Sequence, residues 1–539
     1  MSAEDQVTLR DVEAQPEYKE KDAIDDRAPP SSSKPSSIAE AAGASHPLAL
    51  LSSARKSLLL LIFSISIFVD VCNVSGAAVA VAQIAGDIKL GVSQAAWILT
   101  AYSITFSSFL LFAGRLADLF PAHIVFEAGF FLLGVFSLVI SFVTSNKYGF
   151  LILRGIAGIC GAMTIPSSYH LVVAMYPESQ ERQGKLALIG LAGAIGNILG
   201  LVVAGICMLA NYRWFFRVLA IICISFSILT YFLLPKTPSQ HSHSGEVSST
   251  SPRWKRMDVG GVLLMTSTLI CFILSLTQGP IDGWKSASFI APLILALVLG
   301  PSFFLWESRL SPSAAILPVS VWKITNMVSS SLVILIPIGW WIGSQLQFAT
   351  FWQEELRWKP IHVAAAMLPQ GIIAFIIGGV TQKVPGIITK PRTTIPIGAA
   401  LIMIAEILVY FSEGGVGKDY WKFVFPGFLL GSAGAILAYF GSAINVIQNC
   451  PPEMAGVASA WTNVVAQVGG AVILAVQSGL QNPTNPAWKK GGARAFWFGF
   501  AWVFVLALQF VIQYKQPASP EVEHELARQR IKDAGLVEM

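Results

Sequence analysis

The sequence predicts an all-α integral membrane protein of about 14 transmembrane helices. Three observations predict it. Of 539 residues, 54% are hydrophobic and 12% charged, where soluble domains carry about a quarter charged residues. Mean hydropathy is +0.63. The 67 charged residues are also unevenly spread, with 17 in residues 1–56 and 9 in 515–539, leaving 41 for the 458 between. No soluble core of that length could enclose so much apolar surface, so the middle of the chain must be solvated by lipid.

Residues 1–55 mix acidic and basic positions and run through a Pro/Ser stretch from Pro29 to Ser37. Such composition cannot bury enough surface to order itself, and a disordered cytosolic tail is expected. A hydrocarbon layer of about 30 Å takes about 20 apolar residues in helical form. Runs of that kind fall near 57–82, 96–114, 124–145, 149–175, 186–207, 214–234, 259–278, 287–306, 327–352, 361–382, 394–411, 422–448, 456–480 and 495–514. The polar connection 235–257 divides six spans from eight and reads as a flexible cytosolic linker, and 516–539 reads as a second cytosolic tail. An even number of spans puts both termini on one side. Lys and Arg near the span ends number about fifteen on that side against about eleven on the other, which makes it the cytosol.

No short apolar segment follows Met1, so no cleaved signal is expected, and the first span would itself direct insertion. Cys72, Cys160, Cys207, Cys223, Cys271 and Cys450 lack paired spacing and read as small buried hydrophobes. A net charge of +5 without basic–aromatic interleaving gives no reason to expect a nucleic-acid partner.

Several strings carry more. Gly114-Arg-Leu-Ala-Asp118 stands between spans two and three, preceded by Trp97-Ile-Leu-Thr-Ala-Tyr102. Glycine lets helices approach closely, and an aspartate at a helix end can bind a neighbouring helix N-terminus or an arginine. Span four begins Arg154-Gly-Ile-Ala-Gly158-Ile-Cys-Gly161-Ala162, and a charge at membrane depth is kept for an internal partner or a pathway. Span five carries Gly190, Gly193, Gly196, Gly200 and Gly205, spaced to make a groove for a partner helix.

The first string resembles the loop 2–3 signature G-x-L-x-D-R-x-G-R-[KR] of the major facilitator superfamily, with Leu119, Pro121 and Ala122-His123 departing from it. The second resembles the family's fourth-helix motif R-x-x-x-G-x-x-G-A, whose arginine is associated with proton coupling. The third is similar to the fifth-helix motif of antiporters, G-x-x-x-G-P-x-x-G-G, with Asn197 at the proline and Leu201 at the last glycine. Tyr212-Arg-Trp-Phe-Phe216, Asp258-x-x-Gly261, Glu307-Ser-Arg309 before Leu317-Pro318, and Pro452 to Asn463 follow in family order. On that order the chain is identified as a member of the 14-spanning drug:proton antiporter family 2, in a fungal branch resembling the aminotriazole-resistance transporters.

The resemblance implies a major facilitator fold: a six-helix bundle over 56–234, two inserted helices over 258–308, and a second six-helix bundle over 309–515, around a midplane cavity. It also implies gating roles for Gly114, Asp118, Gly193, Gly196 and Gly200, a monomer, and no enzymatic activity. The implied function is proton-coupled efflux of a small organic compound, such as a drug, toxin or secondary metabolite. The alternative is uptake or facilitated passage of a small weak acid or siderophore. The cell membrane is the expected site, with the vacuolar membrane as the other choice.

Gly414-Gly-Val-Gly-Lys418-Asp fails the phosphate-loop pattern in glycine position and hydroxyl, so ATP-driven transport is unsupported. The expected partners are protons, a small-molecule substrate and the bilayer, with no cofactor beyond a proton gradient. That requires titratable groups in the membrane. Asp70 in span one is flanked by Phe68, Val69 and Val71, and burial disfavours the charged form of a carboxyl group. It is the candidate proton site, against a packing hydrogen bond to Asn73 or a neighbour. Arg154 is either a coupling residue or a structural pair. Glu127 in span three and Glu406 in span eleven occupy related positions in the two halves and divide evenly between coupling and structure. His170, late in span four, titrates near neutrality when unperturbed and is more readily a satisfied polar residue at a span end.

Trp340, Trp341, Gln345, Gln347 and Trp352 in span nine mix large rings with amides, and Asn463 and Gln467 in span thirteen share a face at i, i+4. Ring faces with sparse hydrogen-bonding groups suit an apolar or weakly polar solute. These residues are the candidate substrate wall, with an interfacial aromatic belt as the other reading of the two adjacent tryptophans.

Overall fold

The structure, a computed structural model, describes residues 47–235, 258–311, 315–384, 386, 390–449, 455–480, 488 and 492–516. Nearly all of both expected tails and of the 235–257 linker lies outside the described residues. Among the described residues, fourteen helices long and apolar enough to cross a membrane follow one another. They are α1 (Ser53–Asp87), α2 (Trp97–Leu119), α3 (Ala122–Ile140), α4 (Lys147–Met175), α5 (Ser179–Cys207), α6 (Arg213–Leu233) and α7 (Val259–Asp282). After them come α8 (Ala287–Glu307), α9 (Met327–Thr350), α10 (Pro360–Lys383), α11 (Pro391–Tyr410), α12 (Phe425–Asn449), α13 (Ala455–Leu480) and α14 (Ala495–Gln513). Each backbone polar group in lipid must be paired within its own segment, which leaves the helix as the available form for these runs.

Side chains outside the bundle are apolar as well. Leu297 on α8 and Ile512 on α14 are 63% and 73% exposed, a surface that only a hydrocarbon solvent tolerates. A few N-termini are capped by side chains where the chain leaves lipid. Asn146 accepts the Gly149 amide to start α4, and Asp258 accepts the Gly261 amide to start α7. At the membrane face where α4 begins, Arg213 pairs with Asp87 at 3.6 Å, tying the start of α6 to the end of α1.

One packing scheme appears twice. In the first six helices α1 packs on α5, α2 on α4, α3 on α4, and α3 on α6. In the last six α9 packs on α13, α10 on α12, α11 on α12, and α11 on α14. Between these halves α1 meets α9, α5 meets α10 and α2 meets α13. Exchanging the halves carries α1–α9 onto itself and each other contact onto another of the set, the signature of an internal repeat. The pair α7–α8 stands outside that scheme, with α7 packed on α2 of one half and α13 of the other.

Candidate functional site

Asp70 lies near the middle of α1 and is 3% exposed. Its Oδ1 accepts the Tyr102 hydroxyl from α2 at 2.8 Å, and its Oδ2 accepts the Thr164 hydroxyl from α4 at 2.8 Å. A buried carboxylate is tolerated only when its oxygens are met by donors, and here both are. Gly161 on α4 makes room for this meeting, since a Cβ there would lie 2.8 Å from Asp70 Oδ1 and overlap the Tyr102 hydroxyl.

Arg154, about two turns before Gly161 on α4, is fully buried. Its Nε donates to the Ile98 carbonyl of α2 at 3.0 Å, its Nη1 donates to the Asn73 side-chain oxygen of α1, and its Nη2 is left without a partner. The guanidinium lies 5.0 Å from the centre of the Tyr102 ring and 5.9 Å from that of Phe216, within cation–π range. Tyr102 therefore touches both candidates, presenting its hydroxyl to the acid and its ring face to the base. Asn73, a sequence-level candidate partner for Asp70, is taken by Arg154 instead.

The α5 glycines hold α1, the helix that carries Asp70. A Cβ at Gly196 would lie 2.6 Å from the Phe68 carbonyl oxygen, and one at Gly200 would lie 2.8 Å from the Cys72 Cα. Gly193 is looser, 3.5 Å from Ile67. A Cβ at Gly114 would lie 3.8 Å from the Pro166 side chain, and the Asp118 side chain lies outside the described part of the chain.

The α9 candidates are spread around the helix. Gln345 Nε2 donates to Asn197 Oδ1 of α5 at 3.1 Å, joining the two halves. Gln347 Oε1 accepts from Gln477 Nε2 of α13 at 3.0 Å, within the second half. Trp341 donates its indole N–H to Ser432 Oγ of α12 at 3.2 Å, and Trp340 points its own at the same oxygen at 3.5 Å. Trp340 is 3% exposed and packs where Gly431 lacks a side chain. Trp352 is fully buried, donates to the Gly414 carbonyl at 2.7 Å and stacks on Trp358 with ring centres 5.1 Å apart. Asn463 and Gln467 are half-buried on α13, one turn apart. A further cross-half bond runs from Gln353 Nε2 to the Val79 carbonyl at 3.0 Å. Both cross-half bonds lie toward the face where α1 and α9 end.

The remaining carboxyls are not at matching depth, which corrects the expectation of related positions. Glu127 is the sixth residue of α3 and Glu406 the sixteenth of α11. Both helices enter from the same face, so about ten residues at 1.5 Å each separate them by about 15 Å. Glu127 is half-buried. Glu406 is buried against Gly499 of α14, with Oε2 lacking a hydrogen bond. His170 is exposed.

Sequence reasoning did not assign Tyr102, Thr164, Asn197 or Ser432 to the site. Tyr102 carried a signal, a phenol inside a span, in the string that leads to Gly114. Asn197 carried another, a polar residue where the resembling motif has proline.

The family profile described as Major Facilitator Superfamily matches residues 63–474. The chain is 25% identical over 414 residues to the low affinity ammonium transporter of Saccharomyces cerevisiae, covering 75% of this chain and 78% of that one. It is 25% identical over 403 residues to the efflux pump terJ of Aspergillus terreus, covering 71% and 73%. Among solved structures, the POT family transporter PepTSo aligns with a TM-score of 0.59 at 13% identity, covering 84% of this chain and 97% of that one.

Proposed function

The chain belongs to the major facilitator superfamily, and from that premise we propose that it is a proton-coupled exporter of a small apolar or weakly polar organic compound, working by alternating access. The observation that carries this reading is the Asp70–Tyr102–Thr164 cluster with Arg154 behind it. Ionised, Asp70 is an acceptor for two hydroxyls from two other helices. Protonated, it becomes a donor on one oxygen, and the hydroxyl that donated there must turn away or accept. A single proton thus rewires the junction of α1, α2 and α4. Helices α1 and α2 are also the ones that meet α9 and α13 of the other half, so the rewiring bears directly on the interface that must rock.

The substrate would sit between the halves beside α5 and α9, using the Gln345 and Asn463 amides and the Trp341 ring. The Gln345–Asn197 and Gln353–Val79 bonds would hold one face shut and break when the other closes. Export is supported by the likeness to the efflux pump terJ. The comparable likeness to the ammonium transporter keeps uptake as a second reading. The proposed location is the cell membrane, and a monomer contains each residue named.

The test is a deletion strain scored against a panel of toxins, followed by flux of the identified compound in vesicles under an imposed pH gradient. Export predicts depletion of the compound from cells, collapse of flux without the gradient, and loss of flux in Asp70→Asn. Accumulation in expressing cells would establish uptake, and gradient-driven flux that survives in Asp70→Asn would remove Asp70 from the mechanism.

A further inference from the structure

Asp258 and Glu307 belong to strings for which the transport reading has no use. Asp258 precedes α7, where its Oδ1 accepts the Gly261 amide at 2.8 Å and the Trp306 indole N–H at 2.7 Å. Glu307 ends α8, and its Oε2 accepts the Leu317 amide at 3.3 Å, from the segment that leads into α9. The two residues are 7% and 2% exposed. With those donors placed, Asp258 Oδ2 and Glu307 Oε1 remain buried with no hydrogen-bond partner. They converge on one spot, since a Cβ on Gly261 would overlap Asp258 Oδ2 and lie 2.7 Å from Glu307 Oε1. Two carboxylates so placed, away from water, cannot both stay ionised.

We propose that Asp258 and Glu307 are a second proton-binding site, one proton held between Oδ2 and Oε1, which latches the inserted helices to the entrance of α9. The proton turns one carboxyl into a donor and leaves the other as acceptor, so both orphan oxygens are satisfied at once. Among the described residues of the packed elements, the other charged ones are Arg115 and Asp118 at the same end of α2, the exposed Lys323 on the segment before α9, and Asp282 at the far end of α7, while α13 carries none. Arg309, two residues past Glu307, is exposed. The site is separate from Asp70, standing at the membrane face from which α1 enters. Loss of its proton sets two negative charges against each other and frees α8 and its following segment from α7. Because α7 packs on both halves, the latch bears on the element that straps them together.

The experiment is thermal unfolding of the purified full-length protein in detergent from about pH 5 to about pH 9. The folded pair keeps a proton that the unfolded chain has already released, so stability falls as pH climbs. The unfolding midpoint of the wild type should drop across that range. Glu307→Gln supplies a permanent donor to Asp258 and should lessen the drop, leaving the part that other buried carboxyls such as Asp70 contribute, and Asp258→Asn should lessen it equally. Asp282→Asn, altering an exposed carboxyl, should keep it. A drop unchanged in both Glu307→Gln and Asp258→Asn would overturn the proposal. So would stabilisation by added calcium at fixed pH that Glu307→Gln abolishes, since the space would then belong to a metal cation.

Discussion

Replacing Tyr102 with phenylalanine removes one hydroxyl from the centre of the first half and leaves its volume almost unchanged. That hydroxyl donates at 2.8 Å to Asp70, and the two residues are 1% and 3% exposed. A hydrogen bond to a charged group contributes about 1.5–3 kcal/mol, and an orphaned buried oxygen falls in the same range. Tyr102→Phe alone should therefore destabilise by about 2 kcal/mol. Asp70→Ala leaves the Tyr102 hydroxyl buried without an acceptor, so adding Tyr102→Phe to that background should cost nothing or stabilise slightly. The double-mutant cycle, read from unfolding free energies in mixed micelles, should give a coupling energy of about 1.5–3 kcal/mol. Additivity to within about 0.5 kcal/mol would refute the pairing of Tyr102 with Asp70, and with it the claim that a proton on Asp70 acts through α2.

Arg154→Lys should keep the positive charge and lose the forked geometry that reaches Ile98 and Asn73 together. Flux should fall at least about tenfold at unchanged expression, and flux equal to wild type would show that only charge matters. Gly200→Val, pressed against the Cys72 backbone, should destabilise by about 1–3 kcal/mol or more, whereas Gly193→Ala, in ordinary contact range, should change stability by less than about 0.5 kcal/mol. The reverse order in denaturant titration would contradict the α1–α5 packing. Gln345→Ala breaks the bond to Asn197 and should favour separation of the halves by about 1 kcal/mol, raising the labelling rate of a cysteine placed beside Asn197 by roughly fivefold. An unchanged rate would mean that this bond does not hold the halves together.

The helices were legible because an apolar run of about 20 residues has one stable form in lipid. Their ends were less so. The first span, expected to stop at 82, continues to Asp87, since a helix need not end where the hydrocarbon does. Asp70 and Arg154 were legible for the same physical reason, that a charge among Phe and Val is tolerated only for a purpose. Their partners depend on how three helices are rotated against each other, which a one-dimensional pattern does not encode. Hence Asn73 was an expected partner of Asp70, and Tyr102 and Thr164 took the place. The α9 wall could have been divided beforehand. Gln345 and Gln347 stand two residues apart, about 200° around a helix of 3.6 residues per turn, and their partners do lie in different halves, on α5 and α13.

The repeated packing sharpens the contrast in chemistry between the halves. Gly196 lies over Phe68 in the first, and Gly469 lies over Leu335 in the second. In that common register Asp70 corresponds to Pro337, a residue with neither charge nor donor. The first half therefore places an acid and a base where the second places proline, rings and amides. On the proposed mechanism this asymmetry is what the exchange requires. A proton and a substrate that competed for one group would be coupled by direct displacement alone. Placed in different halves, they would be coupled through the α1–α9, α2–α13 and α5–α10 contacts, which would have to shift when either is bound. Asn197 is the residue in which the two assignments touch, since it sits on the helix that holds α1 and accepts its hydrogen bond from Gln345. Replacing it with proline, the residue of the resembling motif, would remove that contact, so Asn197→Pro should weaken the dependence of flux on the pH gradient more than it weakens substrate binding. Equal loss of both would place proton and substrate on a single shared site.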